Sequence, residues 1–456
     1  GYREPADSLA LGRAYAALYQ EGLEELEQIS DPELRQSQRR EIEGRYRDEA
    51  LRHLRSADEL GIEEPAYVEG LIAFLEERYD EALDKVRQAS AQVRWLHEAK
   101  KLAGDIHRAR ARQGLTHGEY NRVREESRLA ADAYAVARDV ARSDATVYEG
   151  ECSRWLLEME IAGRTGGPAD DAFTAATTAC QNALRINPES VNASNRLSRA
   201  HWMWASHLSF RGDDPGSHLE AAVAAARRAA ELDPENMHAH YNIGCALNET
   251  GARESERGSD PRESFDRAIA SFTRALEISP AFAAAYDDAG FAHERKGKYE
   301  IEHGIDPSRS LQLAVASYRA ALELSPDSAN VHNNLGIAFL RQGTYAMLAG
   351  GDPEEHFDHA LDSFRAATDL NPNYANAHTN IGYVHRARGQ HLLRQGIDPT
   401  AVLDRARQAF AKGEEINPAL TWSLHERAAV ELVAARWAVR SGENPESFLA
   451  HAAEVV

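Results

Sequence analysis

The chain has 456 residues, a formal net charge of -21 and three cysteines. This excess of acidic groups repels nucleic-acid backbones and anionic membranes, so neither is expected as a main partner, and no apolar run is long enough to span a membrane. Cys152, Cys180 and Cys245 form no CxxC pair, which indicates a reducing, cytoplasmic setting without a disulfide framework.

Two helical hairpins are predicted before residue 97. Residues 1–62 contain the first, with a long insertion rich in Glu and Arg, and residues 63–96 contain a second, shorter one. Both are marked by small and apolar residues at helical spacing, which are Leu11, Gly12, Ala50, Leu54 and Ala57 in the first hairpin and Gly70, Tyr79, Ala82 and Ala89 in the second. The sequence begins with Gly1 and Tyr2 and not with an initiator methionine. We therefore expect these residues to be a tag remnant on an excised fragment.

Residues 97–456 are predicted to form an array of longer hairpins, because helix breakers recur there every 46 residues. The first proline register contains Pro188, Pro234, Pro280, Pro326, Pro372 and Pro418. The second contains Pro215, Pro261, Pro307, Pro353, Pro399 and Pro445, and each of these prolines has a glycine three residues before it, namely Gly212, Gly258, Gly304, Gly350, Gly396 and Gly442. Three registers with one period indicate one repeated structural unit.

Each register has a physical role. The glycine ends the first helix of the unit, helix A, in the left-handed conformation. The Asp or Asn before the second proline caps the second helix, helix B, and the proline is expected at its first position, where no amide hydrogen is needed. In one unit these registers therefore predict helix A over Ser328–Ala349 and helix B over Pro353–Leu370.

Small and large residues at fixed positions predict how the helices pack. Glycines on helix A (Gly244, Gly290, Gly336, Gly382) and alanines on helix B (Ala222, Ala268, Ala314, Ala360, Ala406) leave room for close helix crossings. Two apolar stripes on helix B are expected to fill the core between hairpins, one of Phe272, Tyr318, Phe364 and Phe410 and one of Ile278, Leu324, Leu370 and Ile416.

These residues resemble the tetratricopeptide repeat (TPR). The pattern is carried by Leu335, Gly336, Phe339, Gly343, Tyr345, Ala360, Phe364, Ala367 and Pro372. The period of 46 is 12 more than the 34 of that family. The resemblance implies an all-α fold, a right-handed α-solenoid of stacked antiparallel helical hairpins, in which the additional residues lengthen helix A.

The last unit is predicted to be truncated, with Ala452 still in register. Solenoid ends usually carry a polar surface, whereas the last helix A is rich in apolar residues (Trp422, Leu424, Val430, Leu432, Trp437). Two explanations remain open: the parent protein continues, or this helix packs on another molecule, which would make the protein a homo-oligomer through its C-terminal helix.

No catalytic, cofactor-binding or metal-binding motif is found in the sequence. Gly290 to Gly297 followed by Lys298 resembles a phosphate-binding loop, but six residues separate the glycines where four are required. His356 and His359 have no third ligand at a recognisable spacing. Protein-kinase motifs are absent as well, so we expect this chain not to be an enzyme.

The resemblance to TPR proteins implies that helix A lines a concave, peptide-binding wall. Carried over by position, the residues of this wall are Asn195, Arg196, Arg199, Tyr241, Asn242, Asp287, Asp288, Asn333, Asn334, Asn380 and Tyr383. An asparagine amide both donates and accepts hydrogen bonds, which suits the backbone of an extended peptide. Asp287 and Asp288 favour a basic or polar segment as the partner. The alternative is that these residues form an ordinary solvated helix face.

A second resemblance concerns the N-terminal third. Segments at residues 10–19, 65–83 and 148–161 are similar to the C-terminal region of large bacterial serine/threonine protein kinases. This resemblance implies a regulatory or substrate-docking part of such a kinase. The leading hypothesis is thus a protein–protein interaction scaffold. The alternative is a structural solenoid that associates with itself to build an oligomer.

Overall fold

The computed structural model describes residues 4–26, 39–40, 42–116 and 118–455. Within these residues all regular structure is helical, with twenty α-helices, one π-helical turn at Glu43–Arg47 and no strand. None of the helices in this part of the chain has the length and apolar character that crossing a membrane requires. The predicted all-α fold is confirmed.

The helices alternate between two roles, as the repeat predicts. Odd-numbered helices correspond to helix A and are α1 (Pro5–Leu26), α3 (Pro65–Leu75), α5 (His97–Thr116), α7 (Ala145–Thr165), α9 (Val191–Arg211), α11 (Met237–Glu256), α13 (Ala283–Glu302), α15 (Ala329–Leu348), α17 (Ala375–Gln395) and α19 (Thr421–Ser441). Even-numbered helices correspond to helix B and are α2 (Asp48–Glu59), α4 (Tyr79–Gln92), α6 (Tyr120–Val140), α8 (Asp170–Ile186), α10 (Gly216–Leu232), α12 (Arg262–Ile278), α14 (Ser308–Leu324), α16 (Glu354–Leu370), α18 (Thr400–Ile416) and α20 (Glu446–Val455). Each odd helix and the even helix after it form one hairpin.

The hairpins belong to two compact units. Unit 1 comprises residues 1–253 and 270–280, and unit 2 comprises residues 254–269 and 281–456. Most odd helices pack on their own even helix and on the even helix before it, and contacts between successive odd helices join α3 through α9 in unit 1 and α13 through α19 in unit 2. Stacking in sequence order, which is the defining property of a helical solenoid, therefore holds within both units.

Helix A is long in the 46-residue units and short in the second hairpin. Helices α13, α15 and α17 contain 20, 20 and 21 residues, whereas α3 contains 11. Helix A of the second hairpin is therefore about half as long as helix A of these three later hairpins. The insertion in the first hairpin falls mainly on residues 27–38, which lie outside the described residues.

The predicted helix ends are present with one correction. The six glycines of the repeat have positive φ values between 69° and 81°, as a left-handed helix end requires. The Asp or Asn before each second-register proline accepts a hydrogen bond from the amide two residues later, at 2.9 to 3.1 Å. The prolines precede the first helical residue rather than occupying it, because the side-chain bond closes a turn just before the helix.

The glycines on helix A lie directly under aromatic rings of the same hairpin. A Cβ atom added to Gly336 would lie 2.6 Å from the ring of Phe364, and one added to Gly244 would lie 2.5 Å from the ring of Phe272. Phe364 is fully buried and belongs to a cluster that extends to Val384 of the next hairpin. The aromatic stripe thus packs within hairpins as well as between them, and glycine is required because any side chain would displace the ring.

The second predicted core stripe is wrong. Leu370 is 42% exposed, and Ile278, Leu324 and Ile416 are only partly buried. These residues lie in the last turn of each even helix. The chain leaves the hairpin there, so the neighbouring helices cover only part of each side chain.

A disulfide joins Cys152 on α7 to Cys180 on α8, which corrects the expectation of no disulfide framework. The two cysteines are 28 residues apart, the same separation as Gly336 and Phe364. In the fourth hairpin the disulfide therefore occupies the position of the glycine–aromatic contact. The two cysteines meet because the hairpin brings positions 28 residues apart into contact, which a search for a short CxxC spacing does not detect.

Candidate functional site

The odd-numbered helices of unit 1 line a groove. Its volume is about 360 Å³, and side chains from α1, α3, α5, α7 and α9 contribute to it. Helix α3 packs on α5, α5 packs on α7 and α7 packs on α9, so these helices can share one surface. We call this cavity the unit 1 groove.

One end of the unit 1 groove is apolar. Tyr67, Leu71 and Phe74 project from α3, and Leu102 projects from α5. All four side chains are at most 7% exposed, so they form a packed floor rather than a mobile rim. Such a floor can accommodate an apolar side chain of a ligand without rearrangement.

The other end is polar and consists of residues from α7 and α9. Thr146, Glu149 and Ser153 line it on α7, and Asn192 and Arg196 line it on α9. Arg196 lies 3.7 Å from the carboxylate of Glu149. Charged side chains of the groove thus form ion pairs between different helices. A second such pair joins Arg13 of α1 to Glu98 of α5 at 3.7 Å.

Asp105 provides a fixed negative charge in the middle of the groove. Its carboxylate accepts hydrogen bonds from Lys101 at 2.7 Å and from the hydroxyl of Tyr134 at 2.8 Å. Burial by itself would raise the pKa of Asp105, but Lys101 and Arg108 outweigh this effect and lower the pKa below its ordinary value. The carboxylate therefore stays ionised at neutral pH.

The predicted wall residues of unit 1 occupy odd helices, and only Arg196 lines the groove. Asn195 donates a hydrogen bond to Asn236 at 3.0 Å, and its own carbonyl oxygen is buried without a partner among the described residues. Arg199 lies 3.9 Å from Glu160. The ring of Tyr241 packs 5.7 Å from that of Phe272, and Asn242 is half-buried.

In unit 2 the predicted wall residues bond to one another. The amide of Asn334 donates to Asp287 at 3.1 Å, and the amide of Asn380 donates to Asn333 at 2.9 Å. Each bond joins one odd helix to the next and spans 47 residues. We call these two bonds the unit 2 amide ladder. These bonds link successive odd helices. Each bond uses one of the two N–H groups of the donating asparagine amide.

Three of the predicted residues of unit 2, Asp287, Asp288 and Tyr383, have specific surroundings. Burial raises the pKa of Asp287 above its ordinary value, although the hydrogen bond from Asn334 opposes this. The guanidinium of Arg386 lies 4.7 Å from the ring centre of Tyr383 and forms an ion pair with Glu426 at 2.7 Å. Asp288 is half-buried on α13 next to Asp287.

The repeat contained a signal for the α7 side of the groove. Glu149, Gly150 and Ser153, which line the groove, lie 46 residues before the predicted wall residues Asn195, Arg196 and Arg199. Extending the predicted wall one unit upstream would have identified them. The apolar floor on α3 has no such signal, because that hairpin is shorter and out of register with the array.

The described residues contain no group of three side chains that could hold a metal ion. A second cavity of about 580 Å³ lies in unit 2 between α18, α19 and α20, where Arg407 makes two hydrogen bonds of 2.7 and 2.8 Å to Glu431. Among the described residues that line the two cavities, no nucleophile, base and oxyanion-stabilising group are brought together.

Comparison with known proteins supports the repeat assignment. The family model described as "TPR repeat" matches residues 310–343, which run from α14 into α15. This window ends before the additional residues of the longer unit, so an ordinary repeat fits it. The chain is a TPR-like helical repeat protein. No curated protein matches it.

Several solved structures are similar to parts of the chain. The structure of YrrB, a TPR protein with an unusual peptide-binding site, is 20% identical over 55% of this chain and 98% of its own, with a TM-score of 0.31. PilF of Pseudomonas aeruginosa is 16% identical over 57% and 90%, with a TM-score of 0.35. MamA of Desulfovibrio magneticus is 18% identical over 49% and 96%, with a TM-score of 0.30.

Proposed function

We propose that this chain is a protein–protein interaction scaffold that binds extended segments of other proteins along its odd-numbered helices. The observation that carries the proposal is the unit 1 groove, to which five successive odd helices contribute. A groove that runs across helices suits an extended chain better than a compact small molecule.

The chemistry of the groove indicates the kind of segment it takes. The floor formed by Tyr67, Leu71 and Phe74 favours an apolar anchor side chain on the ligand. Thr146, Glu149 and Asn192 at the other end offer donors and acceptors to a peptide backbone. A segment with one apolar anchor followed by polar residues is therefore the expected ligand of unit 1.

Unit 2 offers a second, more polar wall. Asn334 and Asn380 each retain hydrogen-bonding groups beyond those of the amide ladder, and Asp287 and Asp288 add negative charge on α13. A basic or polar segment fits this surface. Ten of the eleven residues predicted from the sequence remain the candidate contacts there and on α9 and α11, whereas Asn333 is 5% exposed and accepts the hydrogen bond from Asn380.

A selected peptide provides a defined probe of the groove. Peptides chosen from a displayed random library would be synthesised, and their affinities measured by fluorescence anisotropy. In the Thr146→Arg variant, whose new side chain projects over the polar end, affinity should fall roughly tenfold or more. The matched control is Thr178→Arg, which makes the same change at an exposed position on α8, outside the groove.

Three outcomes distinguish the two surfaces. Loss of binding in Thr146→Arg with normal binding in Thr178→Arg supports the unit 1 groove. Loss only in a variant with Asn334→Ala and Asn380→Ala assigns the peptide to unit 2. If no library peptide binds, or if all variants bind equally, the scaffold proposal is wrong for these surfaces.

We also propose that this chain is the regulatory or substrate-docking region of a bacterial serine/threonine protein kinase. The support is the resemblance of the segments at residues 10–19, 65–83 and 148–161 to the C-terminal region of such kinases. A scaffold linked to a catalytic domain would raise the local concentration of the substrates that it binds. Sequencing the complete reading frame tests this directly: a kinase domain upstream is expected, and a frame without one contradicts the proposal.

A further inference from the structure

The fifth hairpin, formed by α9 and α10, differs at its centre from the hairpins on either side of it. In the sixth to ninth hairpins a glycine of the odd helix lies under an aromatic ring that follows it by 28 residues. In the fourth hairpin the disulfide between Cys152 and Cys180 occupies these positions. The fifth hairpin has Ser198 and Ala226 there. Neither a ring nor a covalent bond therefore joins α9 to α10 at these two positions.

Two histidines join α9 to α10 about one helical turn from Ser198. Nδ1 of His201 lies 3.1 Å from Nδ1 of His218 in hydrogen-bond geometry, so both nitrogens point into the space between the two rings. In the sixth hairpin the same two positions hold Leu247 and Ser264. From the fourth hairpin to the tenth, the sequence places histidine at both positions only in the fifth. We call these two residues the histidine pair.

An aromatic cluster supports the histidine pair from one side. The ring of Phe173 on α8 lies edge-on to both imidazoles, with its centre 5.4 Å from that of His201 and 5.2 Å from that of His218. Trp204 is buried and stacks on Phe173 at 5.0 Å. Both imidazoles are themselves partly exposed. The pair is thus packed against the protein and still within reach of an ion from the solvent.

The histidine pair is uncharged at neutral pH. Burial lowers the pKa of both imidazoles, to about 4 at His201, where His218 adds to the effect. A neutral imidazole is the form that binds a metal ion. Among the described residues, no lysine or arginine contributes to either shift, so a positive ion at the pair meets no repulsion of that kind.

We propose that His201 and His218 form a two-histidine site for a divalent transition-metal ion of the class of Cu²⁺, Ni²⁺ and Zn²⁺. Bonds of about 2.1 Å to two nitrogens 3.1 Å apart meet at the ion at about 100°, which lies between the square-planar and the tetrahedral angle. Water completes the coordination, because the described residues supply no group of three ligands. The proton between the rings moves to Nε2, so each imidazole stays neutral and none is released.

The bound ion replaces the hydrogen bond between the two rings and links α9 to α10. It thereby closes the fifth hairpin, as the disulfide between Cys152 and Cys180 closes the fourth. An ion that binds the folded chain and not the unfolded one stabilises the fold. The fifth hairpin is therefore expected to be more stable when the ion is bound.

Titration of the untagged, metal-free chain with Cu²⁺ and with Zn²⁺ by isothermal calorimetry tests this proposal. Cu²⁺ should bind more tightly than Zn²⁺, as it generally does at nitrogen sites. His201→Leu copies the residue of the sixth hairpin, and His218→Gln keeps a polar side chain. Each variant should bind both ions at least roughly tenfold more weakly, which is the loss that even an outer partner of a metal ligand causes.

The matched control removes two histidines from another helix. His356 and His359 both lie on α16, so His356→Ala with His359→Ala deletes a different pair and leaves the fifth hairpin unchanged. This control should bind Cu²⁺ as tightly as the unaltered chain, and pulsed electron paramagnetic resonance should detect two coordinated imidazole nitrogens in both. Zn²⁺ should raise the midpoint of thermal unfolding in these two proteins and not in the variants of His201 and His218.

Three results would overturn the proposal. The first is an unaltered chain that binds neither Cu²⁺ nor Zn²⁺. The second is undiminished binding in the variants of His201 and His218. The third is loss of binding in the control, which would assign the ion to α16. Circular dichroism establishes that each variant is folded, and His218→Gln, at a partly exposed position, provides the test if His201→Leu does not fold.

Discussion

Replacing Phe364 by alanine is expected to lower the free energy of unfolding by about 3–5 kcal/mol, the range for losing a buried aromatic side chain. Phe364 is fully buried, lies over Gly336 and belongs to a cluster shared by neighbouring hairpins. Because hairpins in a solenoid stabilise their neighbours, the loss should appear as faster amide hydrogen exchange in α15, α16 and α17. Hydrogen exchange with mass spectrometry measures this directly.

The partner of Phe364 supplies the control for this prediction. Gly336→Ala places a Cβ atom 2.6 Å from the ring and should cost about 1–3 kcal/mol by overpacking. In the double variant the ring is gone and the methyl group fits, so the combined loss should be smaller than the sum of the two. Additive losses would contradict the proposed contact. Leu370→Ala, at an exposed position of α16, should have little effect.

Acidification is expected to destabilise the protein between pH 6.5 and about 4. His201, His293 and His385 occupy the same repeat position in three hairpins. Burial lowers the pKa of each from 6.5 to about 4, assisted at His201 by His218 and at His385 by Arg388. Between pH 6.5 and about 4 the histidines bind protons in the unfolded chain but not in the folded chain. Lowering the pH through this range therefore lowers the free energy of unfolding, and the loss levels off below about pH 4.

Other groups titrate in different directions or windows. Hydrogen bonds from Arg262 lower the pKa of Asp260 from its ordinary value of 3.8 to about 2. The helix cap that Asp260 forms is therefore weakened only when the pH falls below about 3.8. Burial raises the pKa of Glu151 and Asp287, and acidification therefore relieves the cost of keeping these carboxylates charged. A comparison of histidine variants with the unaltered chain removes both contributions.

Leucine is a suitable replacement, because Leu247 occupies this repeat position naturally. In the variant with His293→Leu and His385→Leu, the loss of stability between pH 7 and pH 4 should shrink. For His385 the largest loss of unfolding free energy is about 3 kcal/mol, because each unit of pKa shift corresponds to 1.36 kcal/mol. The loss due to His293 should be smaller because this side chain is partly exposed. Thermal unfolding across this pH range measures the effect. An identical pH dependence in both proteins would mean that these histidines do not cause it.

Much of the fold was predictable because it depends on local chemistry repeated in phase. Gly350 ends a helix and Asp352 caps the next one through bonds that span only a few residues, so their spacing in the sequence was sufficient. The same holds for Gly336 and Phe364, because a glycine and an aromatic residue 28 positions apart recur in four successive hairpins. Leu370 was misjudged because its burial depends on how far the neighbouring helices extend, which no local pattern specifies.

The sequence by itself determined the order of the helices and the ends of the repeated ones, and it predicted which residues line a wall. Only the tertiary structure decided what those wall residues contact: Asn334 and Asn380 bond to residues 47 positions earlier, and Glu149 meets Arg196 across two helices. It also decided that Cys152 and Cys180 meet, and that α3 contributes an apolar floor. The physical reason is that helix periodicity specifies which face a residue occupies. The distance between two faces depends on how whole helices pack.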